Sequence, residues 1–96
     1  MINNITQPQG NITWDKATEE KFLQILEQIP HLVRGIAEVR ITRKAESLIR
    51  QENRWVIFEK DMVDAFFAET PPAFLSAMKD GMQELGIDFT KYGYSK

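Results

Sequence analysis

Few residues in this chain of 96 could do chemistry, and they fall into three groups. His31 is the only imidazole. It could serve as the axial ligand to the magnesium of a tetrapyrrole, or stand as a polar residue in the first turn of a helix after Pro30. Asp61 and Asp64 lie three apart, which puts two carboxylates on one helix face. Such a pair can hold a cation, or it can complement the positive end of the helix dipole. The third group is cationic: Arg34, Arg43, Arg50 and Arg54 are the candidate partner-binding residues, able to recognise an acidic surface.

Other chemistries lack their parts. There is no cysteine, which excludes disulfides, thiolate zinc, protein thiolates for an iron–sulfur cluster and thiol nucleophiles. No glycine-rich phosphate loop is present, and nothing resembles a nucleophile paired with its base. The expectation is therefore no catalytic residue, no metal site and no cofactor, in a chain that is not an enzyme.

Charge is unevenly distributed. Between Arg34 and Arg54 there are six basic residues (Arg34, Arg40, Arg43, Lys44, Arg50, Arg54) against three acidic ones (Glu38, Glu46, Glu52), a local +3. The remainder holds six basic and eleven acidic residues, a local −5, which together give the formal net charge of −2. The balance disfavours a general nucleic-acid binder, and the basic segment can either steer an acidic partner or make internal ion pairs.

Positioning these groups falls to helices. Residues 1–12 lack periodicity and read as a flexible arm; the triplets Asn4-Ile5-Thr6 and Asn11-Ile12-Thr13 match a glycosylation pattern to which no function is attached. Thr13 or Asp15 can cap a first helix whose Phe22, Ile25, Leu26 and Ile29 make one apolar face, with Trp14 packing beneath its first turn. Pro30 can start a second helix, from about His31 to Glu52, which reads either as a recognition helix for a partner or as the central core helix. Steps of 100° put Leu32, Ile36 and Val39 on one side of it, and Ile41, Ala45, Leu48 and Ile49 on another. The spacing predicts a bend or break near 39–42, with Thr42 available as a cap, and leaves Arg43, Arg50 and Arg54 as a basic stripe partly neutralised by Glu46.

Beyond it, Asn53 suits a left-handed helix end and residues 55–58 form an extended connector docking into the core, or an edge offered to a partner strand. A third helix opens at Glu59-Lys60-Asp61, carrying Met62, Val63, Phe66 and Phe67. Thr70 and Pro71 are expected to cap and start a last helix striped by Phe74, Leu75, Met78, Met82 and Leu85, which ends at Gly86 with Ile87 packing back. Phe89, Tyr92 and Tyr94 mark residues 88–96 as an aromatic tail that wraps the bundle or orders on binding. The fold class is all-α: a small bundle of four to five helices in a single domain over 13–87. No apolar run approaches the roughly 18 to 20 residues of a membrane span. The first ten residues do not read as a signal peptide. A cytoplasmic protein is expected.

Trp14, Ile29-Pro30, Val33-Arg34-Gly35, Ala45-Glu46, Ile57 and the acidic helix after it resemble the small C-terminal domain of the light-independent protochlorophyllide reductase family, over about residues 13–66. This chain carries about four more residues than the pattern between Arg34 and Glu46, Phe58 where the family has a capping Thr, and Asn53 for its turn glycine. The resemblance implies a small helical domain associated with nitrogenase-like reductase machinery, whose ATP and iron–sulfur chemistry resides in parts not found here. The reading that follows is a non-enzymatic protein-interaction module, an accessory to photosynthetic or nitrogenase-like reductases, with a protein partner and room for self-association. A tetrapyrrole carrier using His31 and a small helical DNA binder are the alternatives.

Overall fold

A computed structural model describes residues 11–96. Residues 1–10, and with them most of the expected arm and the first triplet, lie outside the described residues. The elements run β1 (Thr13–Trp14), α1 (Lys16–Glu27), α2 (His31–Gln51), β2 (Val56–Ile57), α3 (Glu59–Glu69), a 3-10 turn (Pro72–Phe74), α4 (Leu75–Glu84) and a second 3-10 turn (Phe89–Tyr92). This is the expected small all-α bundle, with four α-helices and two minimal strands among the described residues.

Local chemistry explains most of the boundaries. Asp15 caps α1 by accepting from the Thr18 N–H at 3.1 Å and from its hydroxyl at 2.8 Å. Asn53, at φ 57°, ends α2: its own N–H donates to the Arg50 carbonyl and that of Arg54 to the Ile49 carbonyl. Gly86, at φ 75°, repeats this arrangement after α4, with Ile87 donating to Met82. Both satisfy helix-end carbonyls that would otherwise lack partners, and both turn the chain back so that the next residue packs inward. Phe58 has no side-chain acceptor, so α3 lacks a capping hydroxyl. Instead the Asp61 carboxylate reaches back to the Phe58 N–H at 2.9 Å, which supplies half of a capping box.

Three features depart from the sequence reading. First, α2 is unbroken through 39–42, and Thr42 lies inside it. β-branched residues at 39, 41 and 42 lower helix propensity only slightly, and no proline or glycine stands there to interrupt the ladder. Second, Val56–Ile57 does have a strand to pair with: Thr13–Trp14 lies parallel to it, Thr13 opposite Val56 and Trp14 opposite Ile57. The Thr13 N–H donates to the Trp55 carbonyl at 3.0 Å and the Asp15 N–H to that of Ile57 at 2.9 Å. Third, Thr70 ends α3 by donating to the Phe66 carbonyl, and the two prolines lead into a 3-10 turn, so α4 starts only at Leu75.

The core forms around α3, not around the whole of α2. Met62, Val63, Ala65 and Phe66 of α3 are buried against Phe22, Ile25 and Leu26 of α1, Ile41, Ala45 and Ile49 of α2, and Met82, Ile87 and Phe89. Trp14 stacks on Phe22 with ring centroids 4.6 Å apart. The aromatic tail wraps the bundle: Phe89 is buried, Tyr94 stacks on Phe67 at 3.8 Å, and the Tyr94 hydroxyl donates to Asp64. Because Ile49 is fully enclosed, Ile49→Ala is expected to lower unfolding free energy by roughly 2–5 kcal/mol. A reduced urea midpoint with an unchanged m-value checks it.

Candidate partner-binding face

The side of α2 opposite its buried residues exposes both aliphatic and basic side chains. Ile41, Ala45 and Ile49 fix the inward direction. At 100° per residue, Leu32, Val33, Ile36, Val39, Arg40, Arg43 and Arg50 all fall within an arc of about 120° on the far side. That face is divided along its length. Leu32 is 91% exposed, Ile36 61%, Val33 48% and Val39 47%, and no residue from His31 to Arg40 is buried. Arg40, Arg43 and Arg50 follow, all exposed. Over α2 five basic residues (Arg34, Arg40, Arg43, Lys44, Arg50) oppose two acidic ones (Glu38, Glu46), a net +3. Arg50 lies in the last turn of the helix, where a cation also suits the negative end of its dipole.

The four candidate arginines separate into two kinds. Arg43 is exposed, and Arg50 makes only an exposed i, i+4 pair with Glu46 at 3.2 Å, so both present charge outward. Arg34 points to α1. Its Nε donates to the Ile29 carbonyl at 3.2 Å, and its Nη2 to Ile29 at 3.0 Å and Glu27 at 3.3 Å. These carbonyls at the end of α1 have no helical partner, so the guanidinium caps α1 and fixes the α1–α2 joint. Arg54 donates to Glu52 at 2.8 Å and forks onto Asp61, whose side chain is only 7% exposed. These hydrogen bonds raise the Arg54 pKa, which keeps the side chain cationic.

The carboxylates first considered as a cation pair have other partners. Asp61 takes Arg54 and the Phe58 N–H; Asp64 takes Lys60 at 2.7 Å and the Tyr94 hydroxyl. Glu59 beside them accepts from Lys21 of α1 at 2.7 Å and from the Tyr92 hydroxyl. Burial pushes the Glu59 carboxyl up, and the donors Lys21 and Tyr92 more than offset it, leaving its pKa below the ordinary value. Among the described residues no group of three or more His, Asp or Glu is placed to hold a metal ion. His31 is exposed on the first turn of α2. An open cleft of about 440 Å³ near Gln83, Asp88, Thr90 and Lys96 lies on another part of the surface and includes none of the candidate residues.

Arg40 was missed by the sequence reading, although its place three residues before Arg43 puts it on the same face. The apolar half reads from sequence as the stripe of a recognition helix or of a core helix, and in the structure it lies outside the core. Among the described residues no helix is long and apolar enough to cross a membrane. Comparison of the chain with protein-family models, with curated proteins and with solved structures finds no match in any of the three.

Two outcomes follow from the pairing. Arg54→Ala leaves the buried Asp61 carboxylate without its main partner and is expected to cost roughly 1–3 kcal/mol. Arg43→Ala, at an exposed site, should stay within about 0.5 kcal/mol; urea titration of both variants checks the contrast. The second outcome concerns alkali. Burial and the bond to Asp64 push the Tyr94 phenol up to about 12, and burial with the bond to Glu59 raises Tyr92 as well. A phenol raised above its unfolded value of about 10 contributes stability that is intact below that pH and lost as pH rises through the folded value. The urea midpoint should therefore fall between pH 10 and 12, and fall less steeply in the Tyr92→Phe, Tyr94→Phe double variant.

Proposed function

We propose that the chain is a non-enzymatic helical protein-interaction module that docks an acidic protein surface through the outer face of α2. One observation carries the reading: a single helix face exposes four aliphatic side chains and then three arginines, while the clustered carboxylates and the other paired cations hold the fold together. Apolar patches rimmed by charge are the usual form of a protein docking site, and the aliphatic half has no counterpart to meet on a phosphate backbone. The resemblance of residues 13–66 connects this proposal with photosynthetic or nitrogenase-like reductase machinery, as an accessory in the cytoplasm. Relative to that family's pattern, the additional turn between Arg34 and Glu46 lies within the region that carries the exposed face.

The full chain, immobilised and exposed to lysate of its own source, should retain one defined complex at low salt. Arg43→Glu, Arg50→Glu should lose at least tenfold of it while keeping the wild-type circular dichroism, because neither arginine holds the core. Raising ionic strength should weaken capture in parallel. Equal capture by the double variant, or turnover of a substrate by the purified chain alone, would refute the proposal.

A further inference from the structure

After Phe89 the chain is tied to the bundle by side chains alone. Ile87 and Phe89, each 1% exposed, are its last core anchors. Asp88 fixes the turn that follows by accepting from the Thr90 N–H at 3.1 Å and from the Thr90 hydroxyl. From Thr90 onward, no backbone hydrogen bond among the described residues reaches another element; the Gly93 N–H donates to the Thr90 carbonyl. The ties are the Tyr92 hydroxyl on Glu59, the Tyr94 hydroxyl on Asp64, the Tyr94 ring stacked on Phe67, and Lys91 at 3.7 Å from Glu59. All of them land on α3, and Lys96 then lies beside Lys79, Asp80 and Gln83 of α4.

We propose that residues 90–96 are a strap that opens as a unit about Thr90 while the bundle stays folded, and that closing it hides an anionic, aromatic surface of α3 made of Glu59, Asp64 and Phe67. This inference is independent of the α2 face. Opening breaks two phenol–carboxylate bonds and one ring stack, and every polar group released meets water, so only the net value of each bond is lost. The strap is a chain end, so no loop entropy is at stake, and segments with few apolar contacts and no backbone ties are the ones that open locally.

The surface underneath survives opening because each of its members has a second partner. Glu59 keeps Lys21 of α1 at 2.7 Å, Asp64 keeps Lys60 at 2.7 Å, and Phe67 keeps Phe89, whose ring centroid is 5.5 Å away. The joint between α1 and α3 therefore does not depend on the strap. Closed, the Glu59 and Asp64 side chains are only 17% and 21% exposed, and Phe67 is half-buried. Open, α3 presents an aromatic ring between two carboxylates, a surface opposite in charge to the arginines of α2. The strap itself, with Lys91, Tyr92, Tyr94 and Lys96, shows the chemistry that this surface takes: a basic, tyrosine-bearing segment.

Trimming of the full, folded chain by a carboxypeptidase of broad specificity, followed by mass spectrometry, tests the proposal. Ser95 and Lys96, both exposed, should be removed quickly, and removal of Tyr94 should wait for opening. When opening and closing are fast, that rate follows the open fraction. In the Tyr92→Phe, Tyr94→Phe variant, which keeps both rings and loses both bonds, it should rise by about tenfold or more. Ile49→Ala, which weakens the whole bundle, should leave it within about twofold, because local opening does not draw on global stability. Ile49→Val serves the same purpose should circular dichroism show Ile49→Ala to be partly unfolded. Equal rates in the wild type and the double phenylalanine variant overturn the inference, since the phenols then latch nothing. A rate that rises with the loss of bundle stability at position 49 also overturns it, since the strap then leaves only when the whole chain unfolds.

Discussion

A mismatch of length governs this structure. At 1.5 Å per residue, the 21 residues of α2 extend about 31 Å, while the 11 residues of α3 that cover it extend about 16 Å. The buried positions of α2, Ile41, Ala45 and Ile49, span only about 12 Å, which is what an element of α3's length can cover. The remaining turns stay helical without tertiary burial because extending an existing helix costs little compared with nucleating one. Arg34 closes the joint with α1, and Arg50 sits in the last turn, where the helix dipole favours a cation. Once α2 is longer than its cover, one half must face water, and its composition determines what that face can do.

α3 solves a different problem with the opposite composition. Its first two turns bear Glu59, Asp61 and Asp64, and each carboxylate holds a different neighbour. Glu59 joins α1 and the tail, Asp61 holds the segment between α2 and β2 through Arg54, and Asp64 holds Tyr94. Placing the anions in early turns suits the positive end of the α3 dipole and concentrates polar contacts at one end of an otherwise apolar helix. Met62, Val63, Ala65 and Phe66, placed between and just after these carboxylates, are buried, which makes α3 the centre of the bundle. These carboxylates are structural ties, and their clustering follows from how many elements converge there.

Features set by near neighbours were legible in the sequence. The Asp15 cap, the left-handed ends at Asn53 and Gly86, and the extended run at Val56–Ile57 all follow from residue types within a few positions of one another. The pairing of Thr13–Trp14 with Val56–Ile57 was not legible: each strand has two residues, and the partners lie 43 positions apart. The reach of Arg54 to Asp61 was hidden for a similar reason, since the turn at Asn53 that aims the guanidinium can be expected while its target cannot. On the candidate face, periodicity placed Leu32, Ile36 and Val39 together and Arg43 and Arg50 together. It did not show which stripe the core would cover, because spacing reports a shared direction and not a neighbour. The apparent shift of the apolar face near residue 40 suggested a bend or a break, whereas one helix runs through it and its surroundings change there.

That change of surroundings is the physical basis of the functional reading. A helix whose inward stripe begins only at Ile41 has no internal use for Leu32, Ile36 and Val39, and exposing them carries a solubility cost with no gain in stability. Random surface composition would intersperse charge with these aliphatic side chains. Here the charges are displaced to the following turns of the same face, so the two halves address different chemistries. An aliphatic seam favours a close-packed helix, and a run of arginines favours a solvated anionic surface. The seam can bring helices together at short range, while the arginines act at up to a Debye length of about 8 Å and set orientation. Both properties come from one α-helix held at its far end by α3 and at its near end by Arg34, which makes the rigidity of that helix the feature on which recognition depends.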